Sequence, residues 1–389
     1  MSRRCITVLA DDNMPGVEAC CAQITGVDFT VLRRSGRSLV AADVAEADWL
    51  FVRSITPVNA ALLTGSRVRF VGTATIGTDH IDLAWLARQG IAWASAPGCN
   101  ARAVGEWVLA MVVRLAVEQD ESLTGKTLGI VGLGHVGRWV ATLLAPLGLR
   151  LLAFDPLLMA DNWPAEPAVC QVDWPTLLAE SDIVTIHTPL IRAGSCPTFH
   201  LFDADALAQL KPSAWLLNAA RGAVIDHAAL VQDLQGQERV VALDVWEGEP
   251  ALRPDVLSRV RYGSPHIAGH SLEGKWRGTW QIAEAAAMAD GMALTGRLAD
   301  ILPANALPVL DLPATGKPLA RLHAVLQQVL DQDGDDARLR AAQHASAPES
   351  AFDALRKHYP VRREFPAQHL RMMGDDPQRQ LFIALGFSC

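Results

Sequence analysis

Several features that would mark a stapled or metal-held fold are missing from this sequence. Its seven cysteines, Cys5, Cys20, Cys21, Cys99, Cys170, Cys196 and Cys389, are odd in number and none forms a CxxC pair. That argues against a disulfide framework and against a structural zinc site, and no metal is expected. Idle thiols in a reducing cytoplasm are the expected state. A basic surplus is missing too: 34 lysines and arginines face 42 aspartates and glutamates, a net charge of −8. A general nucleic-acid binder needs a basic face, so that class is set aside. An anionic substrate would need a few local cations to overcome a repulsive background. No apolar run is long enough to cross a membrane; the richest, 104–117, is broken by Glu106 and Arg114. The opening run to Ala10 stops at Asp11 and Asp12 without a small-residue cleavage site, so it reads as a first strand and not as a secretory signal. No repeat of solenoid length is present.

What is present is the composition of an ordinary globular protein, half hydrophobic and one fifth charged, over 389 residues. That is too much chain for one core, and two or three domains are expected. Short apolar runs at 6–10, 49–52, 68–72, 91–94, 127–131, 151–154, 183–186, 215–218 and 240–244 read as strands. Most are apolar on both faces, as parallel strands between helix layers must be. Helical patterns at 82–88, 136–147, 176–180, 205–210 and 228–234 alternate with them, giving an α/β fold with parallel sheets. Longer helices are expected at 103–117 and 272–294. The first could bridge two domains, and the second could return the chain to the first domain. Residues 1–103 with 266–297 are expected to form one domain, 104–265 a nucleotide-binding domain, and 298–389 a small α+β third domain after the run Pro303, Pro308, Pro313 and Pro318. The acidic knot Asp331, Asp333, Asp335 and Asp336 reads as a solvated loop.

Gly132, Gly134 and Gly137 stand in GxGxxG spacing, after an apolar strand and at the start of a helix. This context is what dinucleotide binding requires. Gly132 allows the tight turn, Gly134 close approach of the pyrophosphate, and Gly137 helix–strand packing. The helix start, with His135 and Val136, would offer amides and a positive dipole end to phosphate. Asp155 ends the next strand, 18 residues after Gly137. A carboxylate there accepts the adenosine ribose hydroxyls and repels a 2′-phosphate, so NAD is expected over NADP.

A dehydrogenase for a hydroxy acid also needs a base for the hydroxyl proton and a cation for the carboxylate. Three strand ends offer such groups: Asn218-Ala219-Ala220-Arg221-Gly222, Asp244-Val-Trp-Glu-Gly-Glu249-Pro250, and Pro265-His266-Ile-Ala-Gly269. Arg221 could grip a carboxylate with two hydrogen bonds. A carboxylate within reach would orient His266 as base, but the sequence leaves open whether Glu249 touches it.

These motifs resemble, in order and spacing over roughly residues 5–295, the D-isomer-specific 2-hydroxyacid dehydrogenases. The resemblance implies two Rossmann-like doubly wound parallel-sheet domains. It also implies catalytic Arg221, Glu249 and His266, the Glu pairing with the His, and cofactor contacts from Ala219, Arg221, Asp244, Gly269 and Thr188. Finer stretches, Val52-Arg53-Ser54-Ile-Thr56, Phe70–Thr75, Gly77-Thr-Asp-His80, Ala96–Ala101 and Leu272-Glu-Gly274, resemble the branch that oxidises a four-carbon phosphorylated D-2-hydroxy acid. That implies substrate contacts from Ser54 and Thr75, and also a homodimer through the C-terminal domain, whose Lys357 and Arg362-Arg363-Glu364 carry the resemblance. His270 departs from the Tyr usual in that branch, which bears on the phosphate end. Arg53 is the first candidate to hold the phosphate, with Lys275 and Arg277 next. A branch acting on 3-phosphoglycerate, or a non-catalytic NADH-sensing scaffold, are the alternatives.

Overall fold

The computed structural model describes residues 4–158, 163–165, 167–236, 238–304 and 309–389. Within it the chain divides into two compact units, residues 1–100 with 271–304 and residues 101–270 with 305–389.

The first unit holds β1 (Arg4–Asp11), β2 (Val27–Arg34), β3 (Trp49–Val52), β4 (Phe70–Thr73) and β5 (Ala92–Ala94), all parallel in the order β2-β1-β3-β4-β5. Every residue of β3 and β4 is buried, as their two-faced apolar sequences require. Strand β2 is not among the expected strands. It lies at the sheet edge and its burial alternates residue by residue, so a search for apolar runs passes over it. The strand order reverses between β1 and β3, and ligands of open α/β sheets gather at such carboxyl-end switch points. Asp11, Arg53 and Ser54 stand at this one.

The second unit is built on β6 (Thr127–Val131), β7 (Arg150–Phe154), β8 (Cys170–Gln171), β9 (Ile183–Ile186), β10 (Trp215–Asn218), β11 (Val240–Leu243) and β12 (Tyr262–Gly263). They are parallel, in the order β12-β11-β10-β9-β6-β7-β8, with the reversal between β6 and β9. A two-stranded pair, β13 (Leu310–Asp311) and β14 (Leu370–Arg371), stands apart from this sheet. Six helices matter below: α1 (Ala101–Glu118), α2 (His135–Leu144), α3 (Leu272–Ala289), α4 (Pro318–Val329), α5 (Gln332–Ala342) and α6 (Pro348–Lys357). Helix α3 belongs to the first unit. Its start is capped by the Ser271 hydroxyl, which accepts from the Gly274 amide at 2.9 Å.

From 305 on, the segment expected as a third domain clusters with the second unit. Helix α4 packs on α1, and Phe365, Phe382 and Leu385 enter the same apolar core as Leu109, Val113 and Leu144. The expected linker falls partly on Pro308, which lies outside the described residues. One expectation changes: the acidic knot is not a solvated loop. Asp331 caps α5 by accepting from the Gly334 amide at 3.0 Å. Asp333 pairs with Arg114 at 2.5 Å, Asp335 is buried and accepts from Tyr359, and Asp336 accepts from the Gly263 amide at 2.8 Å. The aspartates fasten α5 to the rest of the unit, a use that depends on partners far along the chain.

Candidate active site

The predicted functional residues of the second unit collect at the carboxyl ends of its strands. Gly132 follows β6, Asp155 follows β7, Thr188 follows β9, Arg221 follows β10, Asp244 follows β11 and His266 follows β12.

The glycine turn has the shape the sequence implies. Gly132 has φ +91°, and a Cβ there would lie 2.8 Å from the His187 carbonyl oxygen. A Cβ on Gly137 would lie 2.2 Å from the Gly132 oxygen, so neither position admits a side chain. Helix α2 starts at His135, and its first i→i−4 bond runs from the Arg138 amide to the Gly134 oxygen. The amides of His135, Val136 and Gly137 therefore precede the helical ladder and are available to an anion. Asp155 accepts the Leu133 amide at 2.9 Å and the Leu157 amide at 3.1 Å, which ties β7 to the turn. An ionised carboxylate has about four acceptor positions, so room is left for ribose hydroxyls. Opposite the turn, the Thr188 hydroxyl is buried without a hydrogen-bond partner among the described residues. Desolvation pushes the neighbouring His187 down to about 3, which keeps it neutral. A turn closed to a Cβ at Gly132 and Gly137 and open at Gly134, an orphaned hydroxyl and an acid at the second strand end fit a dinucleotide.

The Arg221 loop is fixed from two sides. Asn218, fully buried, accepts the Ala220 amide at 3.0 Å and donates to the Arg221 carbonyl at 3.0 Å. A Cβ on Gly222 would lie 1.9 Å from the Trp246 carbonyl carbon, so this loop lies directly against the Trp246-Glu247 backbone. The Arg221 guanidinium donates to the Ala220 carbonyl at 2.8 Å.

The structure answers the question the sequence left open: His266 Nδ1 and Glu249 Oε1 are 2.5 Å apart. Burial raises the Glu249 pKa, but the His266 charge and hydrogen bond and the Arg356 charge outweigh it, and the net shift is downward. Glu249 also accepts the Trp246 amide at 3.2 Å. His266 itself has φ +57°, a left-handed conformation that costs a residue with a Cβ about 1–2 kcal/mol. Such a residue persists only where its surroundings over-determine it, and Asp244 does this. The Asp244 carbonyl accepts the His266 amide at 2.7 Å. Its carboxylate accepts the Ser264 hydroxyl at 2.6 Å, the Ile267 amide at 2.8 Å and the Ala268 amide at 2.9 Å. Asp244, expected near the nicotinamide, is thus 1 % exposed and shapes the loop that presents His266. Asp244→Ala leaves those donors unmatched and is expected to lower the unfolding free energy by at least about 3 kcal/mol. Denaturant titration tests this, and a loss under about 0.5 kcal/mol, as at an ordinary surface site, would contradict it.

Beneath the loop lies a network that sequence reasoning missed. Glu247 accepts from His200 Nε2 at 2.6 Å and from the His227 amide at 3.2 Å, and Trp246 Nε1 donates to the Ser264 carbonyl at 2.9 Å. No local pattern announces these links.

In the first unit, Thr75 and Thr73 share a hydrogen bond of 2.7 Å, and Thr75 donates to the Gly77 carbonyl at 3.1 Å. Ser54 is exposed just past β3. Arg53 donates to the Asn13 carbonyl at 3.3 Å. Burial and then the Arg53 charge push Lys275, in the first turn of α3, down to about 8. The two cations are therefore close enough to repel each other. Arg277 is turned instead to the Cys99 carbonyl.

Comparison with known proteins agrees with this geometry. Residues 100–268 match the family model described as D-isomer specific 2-hydroxyacid dehydrogenase, NAD binding domain, and residues 301–386 match a domain of unknown function, DUF3410. An erythronate-4-phosphate dehydrogenase from Azotobacter vinelandii is 46% identical over 384 residues, covering 97% of this chain and 98% of its own. Another from Edwardsiella ictaluri is 46% identical over 383 residues, 98% of each chain. The D-lactate dehydrogenase of Aquifex aeolicus, solved with NAD and lactic acid, shares the fold at 22% identity, with a TM-score of 0.59 over 73% of this chain and 96% of that one. The chain is an NAD-binding oxidoreductase and belongs to the erythronate-4-phosphate dehydrogenase family, within the D-isomer-specific 2-hydroxyacid dehydrogenases.

Proposed function

We propose that this protein oxidises 4-phospho-D-erythronate to (R)-3-hydroxy-2-oxo-4-phosphooxybutanoate with NAD, a step in pyridoxine 5′-phosphate biosynthesis. The observation that carries the chemistry is the Glu249–His266 contact of 2.5 Å on a strained loop.

The glycine turn, the α2 amides, Asp155 and Thr188 would hold the dinucleotide, with Ala219, Asp244 and Gly269 as its further contacts. The bound cofactor would supply the acceptor for the hydride that leaves C2. Arg221 fixes the substrate carboxylate and the oxygen that becomes a carbonyl. With its Nδ1–H donated to Glu249, His266 keeps Nε2 for the 2-hydroxyl proton. Glu249 stays ionised and stabilises the resulting imidazolium. The products are the 2-oxo acid, NADH and one proton, first held on His266.

Ser54, Thr75 and His270 contact the rest of the substrate, and Arg53 takes the phosphate with Lys275 beside it. An anion between two mutually repelling cations removes their repulsion. Arg53→Ala is expected to raise KM for the phosphorylated substrate roughly 10- to 100-fold, the cost of lost charge-assisted hydrogen bonds. An unchanged KM would remove Arg53 from the phosphate. The C-terminal residues form the contact of a cytoplasmic homodimer.

The substrate assignment is tested by incubating the protein with NAD and a panel of phosphorylated hydroxy acids, following NADH absorbance with and without a 2-oxo acid acceptor. The acceptor exposes turnover that retained NADH would hide. Turnover on 3-phosphoglycerate in preference to 4-phospho-D-erythronate would overturn the assignment, and cofactor binding without turnover on any acid would favour an NADH-sensing scaffold.

A further inference from the structure

We infer that Arg362, in the C-terminal segment, is a positioning residue of the active site, holding the His266 loop from the side opposite Asp244. This inference rests on the proposed role of His266 as base.

Arg362 is only 5 % exposed. Its Nη2 donates to the Ala268 carbonyl at 2.8 Å and to the Ala103 carbonyl at 3.1 Å, and its Nε donates to the His270 carbonyl at 3.2 Å. Ala268 and His270 flank Gly269, directly after the base. Asp244 grips the amides of this turn through Ile267 and Ala268, while Arg362 grips its carbonyls. The left-handed His266 sits at the start of a loop clamped by an anion on its N–H groups and a cation on its C=O groups. Nearby, the Tyr359 ring lies edge-on to His270, centroids 5.9 Å apart, and its hydroxyl donates to Asp335 at 3.0 Å. That bond carries the anchoring of α5 into the same loop.

A buried guanidinium is costly to desolvate, and part of that cost is offset by the buried Glu106, whose pKa the Arg362 charge lowers against the larger effect of burial. Docking the segment would be served as well by apolar contacts, which the unit has in Phe365 and Phe382. Fixing carbonyls on both sides of Gly269 is what a charged fork does and an apolar side chain cannot. Arg356 extends the pattern. Its Nε is buried without a partner among the described residues, and its charge is one of those that keep Glu249 ionised. Residues 301–386, whose family model carries no assigned function, thereby acquire a part in the reaction itself.

The test compares Arg362→Met, Arg362→Lys and His266→Ala with the parent enzyme. Steady-state kinetics use 4-phospho-D-erythronate carrying hydrogen or deuterium at C2, with NADH affinity and melting temperature measured on each preparation. Arg362→Met is expected to lower kcat about 10²-fold, as a misplacement of about 1 Å does. KM and NADH affinity should hold, and the isotope effect on kcat should rise because hydride transfer becomes limiting. Arg362→Lys should recover part of the rate. An Arg362→Met protein with parental kcat overturns the inference, as does a loss of activity that follows lost thermal stability with an unchanged isotope effect. If Arg362→Met does not fold, Arg362→Lys decides by the same isotope effect: a rise supports positioning, and no change overturns it. Near-parental turnover in His266→Ala instead overturns the underlying reading of the base, whatever the Arg362 variants do.

Discussion

His266→Ala is expected to lower kcat for oxidation of 4-phospho-D-erythronate by roughly 10²- to 10⁴-fold, the span of general acid–base catalysis, with NADH affinity kept. On the proposed reading Nε2 is the basic nitrogen, because Nδ1 is committed to Glu249 at 2.5 Å. Oxidation then needs a neutral imidazole with an ionised carboxylate behind it. The Glu249 pKa is lowered in the folded state, so its pairing contributes stability above the ordinary carboxylate value of 4.5, and that contribution is lost only as pH falls further through the lowered value. A His266→Ala variant that kept the parental rate would show that another group takes the proton.

The second large effect is expected at Arg221. Arg221→Met should lower kcat/KM by about 10²- to 10³-fold, the scale of removing one preorganised donor from a developing charge. Arg221→Lys should recover little, because an ammonium cannot span two oxygens as a planar fork does. The site prepares the guanidinium: Asn218 bonds both the Ala220 amide and the Arg221 carbonyl, and Gly222 allows the loop to lie on the Trp246-Glu247 backbone. Steady-state kinetics with saturating NAD measure the loss. Parental kcat/KM in the methionine variant would contradict the assignment.

Both effects fall on residues visible in the sequence, and the reason is local. A buried parallel strand is a short apolar run, and its carboxyl end is where a sheet of this kind places ligands. Gly132, Arg221 and Asp244 each stand at the end of such a run, and their order carried most of the sheet. His266 follows the two-residue β12, Tyr262–Gly263, which no apolar run marks, and it was found by its motif instead. Contacts between runs were not legible in the same way. Nothing at Glu249 says that it meets His266, and nothing at Asp244 says that its carboxylate is spent on the amides of Ile267 and Ala268. Strand β2 was hidden because an edge strand covered on one face alternates instead of running apolar. The acidic run at 331–336 looked solvated because Arg114, Gly263 and Tyr359, which bind it, are distant in sequence. Arg362 shows the same limit. Its three carbonyl partners lie 92 to 259 residues away, and a local pattern records none of them.

The central claim is that a hydride leaves C2 of the hydroxy acid for the bound nicotinamide while His266 takes the hydroxyl proton. It is tested most directly by one turnover of 4-phospho-D-erythronate carrying deuterium at C2, with mass analysis of the NADH extracted from the denatured protein. The account predicts one deuterium per NADH formed, and a signal in His266→Ala that appears far more slowly. NADH without deuterium, or label washed into solvent while NADH forms, would contradict it.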